Sequence, residues 1–375
     1  MEFKRFGKTK KKVSVLGFGA MRLPLIESSQ EIDENRAIEM IRYAIDNGIN
    51  YVDTAWPYHQ GNSEIVVGKA LEAGYRDKTY LATKLPSWLV NDNNDFDSFL
   101  NTQLTKLNTN RIDFYLLHAL NKQKWEKMKT LGALEWAEKK IKEGIIGHIG
   151  FSFHDEYPVF KEILNFYNWD FCQIQYNYLD TDFQAGKKGL NLAAKKEIAT
   201  VIMEPLRGGK LARAPRVVEK VLKESDKERQ TVEWAFDWLW TQEGISTTLS
   251  GMSTLEQVKE NIEFANKASE NKLSKEDMTI IGKAAKIFKE LSPIPCTRCR
   301  YCMPCLKGVN VPRIFEIYNN GKMYKEMEKA KAEYQNLKDY EKASNCIQCK
   351  SCERACPQNI NISSWLKIIE EELTD

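Results

Sequence analysis

The sequence predicts an α/β fold, a parallel (β/α)8 TIM barrel followed by a small, mainly helical domain. Between about residues 13 and 265, short segments rich in β-branched and aromatic residues alternate with helical patterns. Eight such units favour a parallel sheet closed into a barrel. A doubly wound open sheet is disfavoured because no G-x-G-x-x-G follows the first strand. The strand candidates are Val13–Phe18, Asn50–Thr54, Thr79–Lys84, Ile112–His118, His148–Ser152, Phe171–Tyr176, Thr200–Glu204 and Thr247–Gly251.

Helical patterns lie between these strands. Asp33–Asn47 has its apolar residues on one face, and Gly48 follows as a stop signal. Leu134–Lys142 repeats the pattern. Thr231–Trp240 is apolar on most sides, so we expect that helix to be buried.

The pattern changes after residue 270. Ser274–Leu291 predicts one amphipathic helix with Ser274 as its N-cap, and the Ser292–Pro295 segment ends it. We therefore expect a barrel domain over residues 1–291 and a second domain over residues 292–375. The helices expected in the second domain are Pro312–Tyr318, Met323–Leu337 and Ser363–Leu373.

Composition excludes several classes of protein. The chain has 375 residues, of which 42% are hydrophobic and 29% charged, as in soluble globular proteins. A net charge of +3 gives no reason to expect nucleic acid or an acidic membrane as a partner. No apolar run approaches the ~18 residues of a membrane helix, and the N-terminal apolar run is too short for an export signal. We therefore expect a cytoplasmic protein.

Four ionisable side chains follow neighbouring strands of the predicted barrel. Asp53 and Tyr58 follow the second strand, and Lys84 and His118 end the third and fourth. Chemistry in a parallel barrel takes place at the carboxyl ends of the strands. These side chains are therefore the candidate catalytic residues.

The segments around these residues resemble the aldo-keto reductase family. The resemblance extends from about residue 3 to residue 268 and rests on DTAWPY, LATK, YLLHAL, IGFS, QIQYN and SGMSTLEQVKEN. It implies a (β/α)8 barrel, which agrees with the strand count. It also implies an enzyme that reduces a small aldehyde or ketone with NADP(H) or NAD(H).

The resemblance assigns a role to each member of this catalytic tetrad. A free tyrosine, with a pKa near ~10, is a poor acid at neutral pH, and a nearby ammonium lowers that pKa. Lys84 would supply the ammonium and Asp53 would hold it. His118 would donate a hydrogen bond to the carbonyl oxygen, and Tyr58 would be the general acid.

The resemblance also implies a dinucleotide site. Ser152 and Gln175 would bind the nicotinamide carboxamide, and Met203 takes the place of the family's stacking tyrosine. Glu260 and Asn261 match the pair that contacts adenine. The turn after the seventh strand would bind the pyrophosphate through backbone N–H groups. The candidate cofactor-binding residues are Ser152, Gln175, Met203, Pro205, Leu206, Gly208, Gly209, Lys210, Gly251, Ser253, Gln257, Glu260 and Asn261.

The sequence departs from the family at the 2′-phosphate of NADP. Gly251 and Gln257 occupy the usual lysine and arginine positions, which weakens the preference for NADP over NAD. Lys259 is a candidate replacement cation. The choice between the two cofactors stays open.

Eight of the nine cysteines lie after residue 295, in two runs. The second run, Cys346-x2-Cys349-x2-Cys352-x3-Cys356-Pro, has the spacing of bacterial ferredoxins. The first run has x2 spacing throughout. The tail thus resembles a two-cluster ferredoxin-like domain, and zinc is the less favoured alternative because its sites usually combine two separated Cys-x2-Cys pairs. The resemblance implies two 4Fe-4S clusters, held by Cys296, Cys299, Cys302 and Cys356 and by Cys346, Cys349, Cys352 and Cys305.

Combining the two parts leaves three functions open. Clusters carry single electrons whereas nicotinamide transfers a hydride, and a flavin usually converts between them. The first function is carbonyl reduction, with clusters for electron transfer or redox sensing. The second is a reductase with FMN at the barrel mouth and the clusters as a relay, served by a ferredoxin- or flavodoxin-like carrier. The third is a redox-sensing regulatory module.

Overall fold

A computed structural model describes residues 1–27 and 29–374. Eight parallel strands close into a barrel in the order β10-β3-β4-β5-β6-β7-β8-β9, which confirms the predicted fold class. The barrel strands are β3 Leu16–Gly19, β4 Tyr51–Asp53, β5 Tyr80–Leu85, β6 Ile112–Leu120, β7 Ile146–Phe153, β8 Phe171–Gln175, β9 Ala199–Met203 and β10 Ile245–Ser250.

Helices follow the barrel strands. Asp33 caps α1, where its side chain accepts a hydrogen bond from Arg36 N at 3.2 Å, and Thr254 caps α10 in the same way. The helices up to residue 266 are α1 Glu34–Asp46, α2 Ser63–Ala70, α3 Asn94–Lys106, α4 Lys122–Thr130, α5 Ala133–Lys142, α6 Tyr157–Phe166, α7 Gly186–Lys195, α8 Arg216–Leu222, α9 Thr231–Thr241 and α10 Leu255–Asn266.

An N-terminal hairpin precedes the barrel. Strand β1, Phe3–Arg5, pairs antiparallel with β2, Lys12–Ser14. The prediction of one strand over Val13–Phe18 is therefore wrong, because that segment divides between the hairpin and β3. Phe6, between the two hairpin strands, is fully buried in the barrel interior.

The chain divides into two compact units. The first contains Met1–Pro205 and Phe236–Leu273, and the second contains Leu206–Ala235 and Ser274–Asp375. Residues 206–235 and 274–291, which the sequence analysis assigns to the barrel domain, thus group with the second unit. Helix α8 contacts α11, Lys275–Leu291, within it.

The second unit is mainly helical. Ser274 and Asp277 form a capping box at the start of α11. Apolar residues of α12, α13 and α15 form its core, and six of the cysteines pack against that core. Among the described residues, no helix combines the length and hydropathy needed to cross a membrane. The remaining helices are α11 Lys275–Leu291, α12 Val311–Tyr324, α13 Met327–Gln335, α14 Ser351–Ala355 and α15 Ile362–Thr374.

Candidate functional site

Lys84 is the centre of a buried cluster at the carboxyl ends of β4 and β5. Its Nζ donates to Asp53 Oδ1 at 2.6 Å and to the Thr54 carbonyl at 2.8 Å. The Tyr58 hydroxyl lies 3.3 Å from the same nitrogen. The Lys84 side chain is 0% exposed, so these contacts are made away from solvent. The fold thus brings together three of the four predicted catalytic side chains through one ammonium group.

Burial changes the proton affinity of this cluster. It lowers the pKa of Lys84, and the Asp53 carboxylate opposes that shift. It raises the pKa of Asp53, which the Lys84 ammonium opposes. Lys84 therefore holds its proton less tightly than a lysine in water does. Its hydrogen-bond partner in this cluster is the Tyr58 phenol.

The loop that carries Tyr58 has an unusual backbone. His59 and Gln60 both have left-handed conformations, with φ values of 50° and 57°. Such conformations cost about 1–3 kcal/mol each in non-glycine residues and are frequent at functional sites. His59 Nε2 accepts a hydrogen bond from Leu23 N at 3.1 Å, which ties this loop to the loop after β3.

His118 lies beside Tyr58, near the end of β6. The two ring centroids are 6.1 Å apart, and the Trp88 ring lies 5.2 Å from His118. Burial is the largest cause of the strongly lowered pKa of His118, and the positive charges of Lys84 and Lys124 contribute to it. The imidazole is therefore neutral near pH 7 and has one N–H group to donate.

A second buried carboxylate, Glu64, lies behind Lys84 and was not identified from the sequence. It accepts from Thr83 Oγ1 at 2.7 Å and from Gln103 Nε2 at 2.6 Å. Gln103 also donates to the Lys84 carbonyl at 3.0 Å. The Glu64 charge raises the pKa of Lys84 and so supports its protonated form. Glu64 and Gln103 are 39 residues apart, so no local motif indicates this network.

Three of the predicted nicotinamide contacts lie on consecutive strands. Ser152 of β7 pairs with Gln173 of β8, and Gln175 of β8 pairs with Met203 of β9. Ser152 Oγ accepts from Ala119 N at 2.7 Å, and Gln175 Nε2 donates to Asp180 Oδ2 at 2.9 Å. A hydroxyl, an amide and a thioether thus lie near the carboxyl ends of three consecutive strands.

The predicted adenine-side residues lie after β10. Gln257 Oε1 accepts from Ser253 N at 2.8 Å, and Asn261 donates to Ser250 Oγ at 3.1 Å. Ser253 Oγ donates to the Arg22 carbonyl at 2.8 Å. A Cβ atom added to Gly251 would come within 3.1 Å of the Arg22 side chain. The loop after β3 thus brings the Arg22 side chain to this position, and no local motif indicates it. The other predicted adenine contact, Glu260, is exposed on α10.

The predicted pyrophosphate turn begins at Pro205, in the first unit, and continues into the second. Lys210 Nζ donates to Ser292 Oγ at 2.9 Å and to the Ile294 carbonyl at 3.1 Å. Arg298 donates to the Gly208 carbonyl at 2.6 Å. Leu206, Gly208, Gly209 and Lys210 thus form part of the second unit, next to the start of the first cysteine run.

The cysteines of the second unit lie near one another. Burial raises the pKa of Cys302, and the charges of Cys299, Cys296, Cys356 and Cys352 raise it further. Burial and then Cys346 raise the pKa of Cys352 to about 11. Among the described residues, no three His, Cys, Asp or Glu side chains converge closely enough to hold a single metal ion. Cys349 is exposed, and Cys305 packs against the helical core.

Comparisons with known proteins match two successive segments of the chain. Residues 15–286 match the model of the aldo/keto reductase family, and residues 295–360 match the 4Fe-4S dicluster domain. The uncharacterized oxidoreductase YqkF of Bacillus subtilis is 25% identical over 296 residues, which cover 71% of this chain and 92% of YqkF. An NADH-specific methylglyoxal reductase of Escherichia coli is 27% identical over 310 residues, which cover 69% of this chain and 90% of that enzyme.

A solved structure shows the same barrel. The holo form of aldo-keto reductase AKR11C1 from Bacillus halodurans superimposes with a TM-score of 0.64 at 28% identity, covering 76% of this chain and 96% of that protein. The family model covers most of the chain, and the family's enzymes are oxidoreductases. This chain therefore belongs to the aldo/keto reductase family and is an oxidoreductase that carries a C-terminal 4Fe-4S dicluster domain.

Proposed function

We propose that the barrel reduces a small aldehyde or ketone with a reduced nicotinamide dinucleotide, and that Tyr58 protonates the carbonyl oxygen. The supporting observation is the buried Lys84 ammonium, which joins the Asp53 carboxylate to the Tyr58 hydroxyl. Reduction needs a hydride at carbon and a proton at oxygen, and a bound nicotinamide supplies the hydride.

The chain's own groups handle the proton. When Tyr58 gives up its proton, the nearby Lys84 ammonium stabilises the phenolate that remains. Asp53 balances the lysine charge within the buried cluster. The neutral His118 ring donates its N–H group to the carbonyl oxygen, where negative charge develops.

The arc formed by β7, β8 and β9 fits a nicotinamide ring. Ser152 and Gln175 would hold the carboxamide, and Met203 would pack against the ring where relatives stack a tyrosine. Glu260 and Asn261 would contact adenine, and Ser253 and Gln257 would border the ribose. The pyrophosphate role of Pro205, Leu206, Gly208, Gly209 and Lys210 rests on the sequence alone.

For the second unit we propose two 4Fe-4S clusters with the crossed ligand sets. The neighbours that raise the pKa of Cys302 include Cys296, Cys299 and Cys356, which are its partners in the first set. Cys346 likewise neighbours Cys352 within the second set. The clusters would pass single electrons to a ferredoxin- or flavodoxin-like carrier or sense the redox state.

Substitution of Tyr58 tests the reductase proposal. Tyr58→Phe removes the proton donor, so kcat for aldehyde reduction should fall by about 10²–10⁴-fold while NAD(P)H binding persists. Turnover is followed by loss of NAD(P)H absorbance and binding by fluorescence titration. Tyr80→Phe, at the start of β5, is the control and should leave kcat unchanged.

The same assay separates the alternatives. A wild-type protein that binds NAD(P)H tightly but reduces none of a broad panel of aldehydes and ketones would favour the regulatory module. Stoichiometric FMN in gently purified protein, with cluster absorbance bleached by NAD(P)H, would favour the flavin reductase. Unchanged turnover in Tyr58→Phe would refute the assigned proton donor.

A further inference from the structure

We propose that the substrate is an oxo acid, whose carboxylate pairs with Lys124 while its carbonyl lies at Tyr58 and His118. This inference rests on the proposed carbonyl reduction and adds the chemical class of the substrate. It starts from a cation beside the catalytic histidine that the proposed mechanism does not use.

Lys124 lies in the first turn of α4, directly after β6. Its Nζ donates to the Ala119 carbonyl at 2.9 Å, one residue beyond His118. The same nitrogen lies 5.8 Å from the centre of the Trp88 ring. The same indole is a neighbour of His118, with ring centroids 5.2 Å apart. The ammonium and the catalytic imidazole therefore contact one aromatic wall at the barrel mouth.

Lys124 has no acidic partner among the described residues. A carboxylate of α4 and one of α6 are paired with other lysines of α4. Glu126 lies 3.1 Å from Lys122 and 2.9 Å from Lys129, and Glu162 lies 2.6 Å from Lys122. The half-buried Lys124 is thus left as an uncompensated positive charge, an arrangement that normally costs stability.

The Asp155 carboxylate, in the loop after β7, is also engaged elsewhere. Asp155 Oδ2 accepts from Lys122 N and its Oδ1 accepts from Glu156 N, both at 2.8 Å. The other polar group on this wall, His154, carries no negative charge and contacts Gln184 Oε1 at 3.3 Å. Among the described residues, Lys124 therefore meets a carbonyl and an indole ring and no carboxylate, which leaves its charge to pair with a ligand.

A purely structural role does not account for this lysine. The hydrogen bond to Ala119 uses one of the three ammonium hydrogens, and a neutral donor would serve it equally well. Burial lowers the pKa of Lys124, which shows the cost of keeping this charge out of water. An anionic group on the substrate would offset that cost on binding.

The reaction follows from these positions. The carbonyl carbon of the oxo acid accepts a hydride, with its two electrons, from the reduced nicotinamide, and the oxygen accepts the Tyr58 proton. The products are a hydroxy acid and the oxidised nicotinamide. The carboxylate is unchanged and serves only to orient the substrate.

Matched acids and esters test the inference. The probes are 2-, 4- and 5-carbon aldehydes that end in a carboxylate, each compared with its methyl ester. For at least one chain length, wild-type kcat/KM for the acid should exceed that for the ester by about tenfold or more. High salt should reduce this preference, because it screens the partly exposed pair.

Variants of Lys124 test whether its charge causes the preference for acids over esters. Lys124→Met should raise KM for the preferred acid by about tenfold, with kcat and the ester kinetics within about twofold. Lys124→Arg should retain most of the preference. Lys127→Met, on the same helix, is the matched control and should behave as wild type.

Two outcomes would overturn the inference while leaving carbonyl reduction intact. One is equal wild-type turnover of every acid and its ester, which needs no variant. The other is an acid preference that survives in Lys124→Met. If wild type reduces neither the acids nor the esters, that result would instead refute the proposed reductase, and the substrate class with it.

Discussion

Arg22 lies beside the segment to which the family resemblance assigns the 2′-phosphate of NADP. It belongs to the loop after β3, and its side chain lies next to Gly251, where family members often carry a cation for the 2′-phosphate. Its carbonyl accepts from Ser253, so both ends of the residue face the segment after β10. Arg22 thus lies beside a segment in which Gly251 and Gln257 stand where the resemblance leads us to expect two cations.

Replacement of Arg22 should separate NADPH from NADH. We expect Arg22→Ala to raise KM for NADPH by about tenfold, the scale of one charge-assisted hydrogen bond, and to change KM for NADH by about twofold or less. Steady-state kinetics with both cofactors measure the effect.

Lys259→Ala provides the comparison, since the Lys259 ammonium lies over the Tyr43 ring at 5.6 Å. We expect that variant to treat both cofactors as wild type does. Equal loss of NADPH and NADH in Arg22→Ala would contradict a role in reading the 2′-phosphate.

At the scale of elements, the N-terminal hairpin contributes to the barrel core through Phe6. The Phe6 ring lies 4.5 Å from Phe114, 5.5 Å from Phe171 and 5.8 Å from Tyr51. These residues come from three barrel strands, and Phe6 is 0% exposed. The hairpin therefore supplies packing that the strands cannot make by themselves.

Removal of this ring should destabilise the barrel. We expect Phe6→Ala to lower the free energy of unfolding by about 3–5 kcal/mol, because a large buried side chain leaves a cavity. Phe3→Ala is the control: that side chain is 49% exposed, so we expect a change within about 0.5 kcal/mol. Urea unfolding followed by tryptophan fluorescence measures both. A loss below 1 kcal/mol for Phe6→Ala would indicate that the hairpin is dispensable.

The barrel elements were predictable because their signals are local. Alternating β-rich and helical patterns indicated all eight barrel strands, although the first predicted segment also took in part of the hairpin, and Asp33 and Ser274 indicated the helix starts. The hairpin was missed because Phe3–Arg5 is short and charged, so it lacks an apolar pattern.

The candidate site also contains residues that the sequence indicates and residues that it does not. The strand-end residues follow readable motifs, whereas Glu64 and Lys124 meet their neighbours only through the fold.

At the scale of the whole molecule, the two parts have different stabilising chemistry. The barrel core is apolar, whereas six cysteines border the core of the second unit. Thiolates that bind a cluster cross-link the segments that carry them. We therefore expect the second unit to depend on its clusters for stability.

Anaerobic purification should yield about eight iron and eight sulfide per chain, since each cluster holds four of each. Removal of iron by a chelator should make the segments around residues 296–305 and 346–356 sensitive to protease, because their cross-links are lost. Iron, sulfide, zinc and flavin are quantified together, and limited proteolysis is followed by mass spectrometry. Stoichiometric zinc without sulfide in the anaerobic protein would contradict the cluster assignment.

Residues 206–235 leave the barrel after β9, contribute α8 to the second unit, and return before β10. A ribosome therefore makes part of the second unit in the middle of the barrel sequence. Residues 206–235 are synthesised before residues 274–374, so their packing partners in the second unit are not yet present. A gene truncated after the last barrel strand would leave them permanently without that unit, and α8 without the α11 that it contacts.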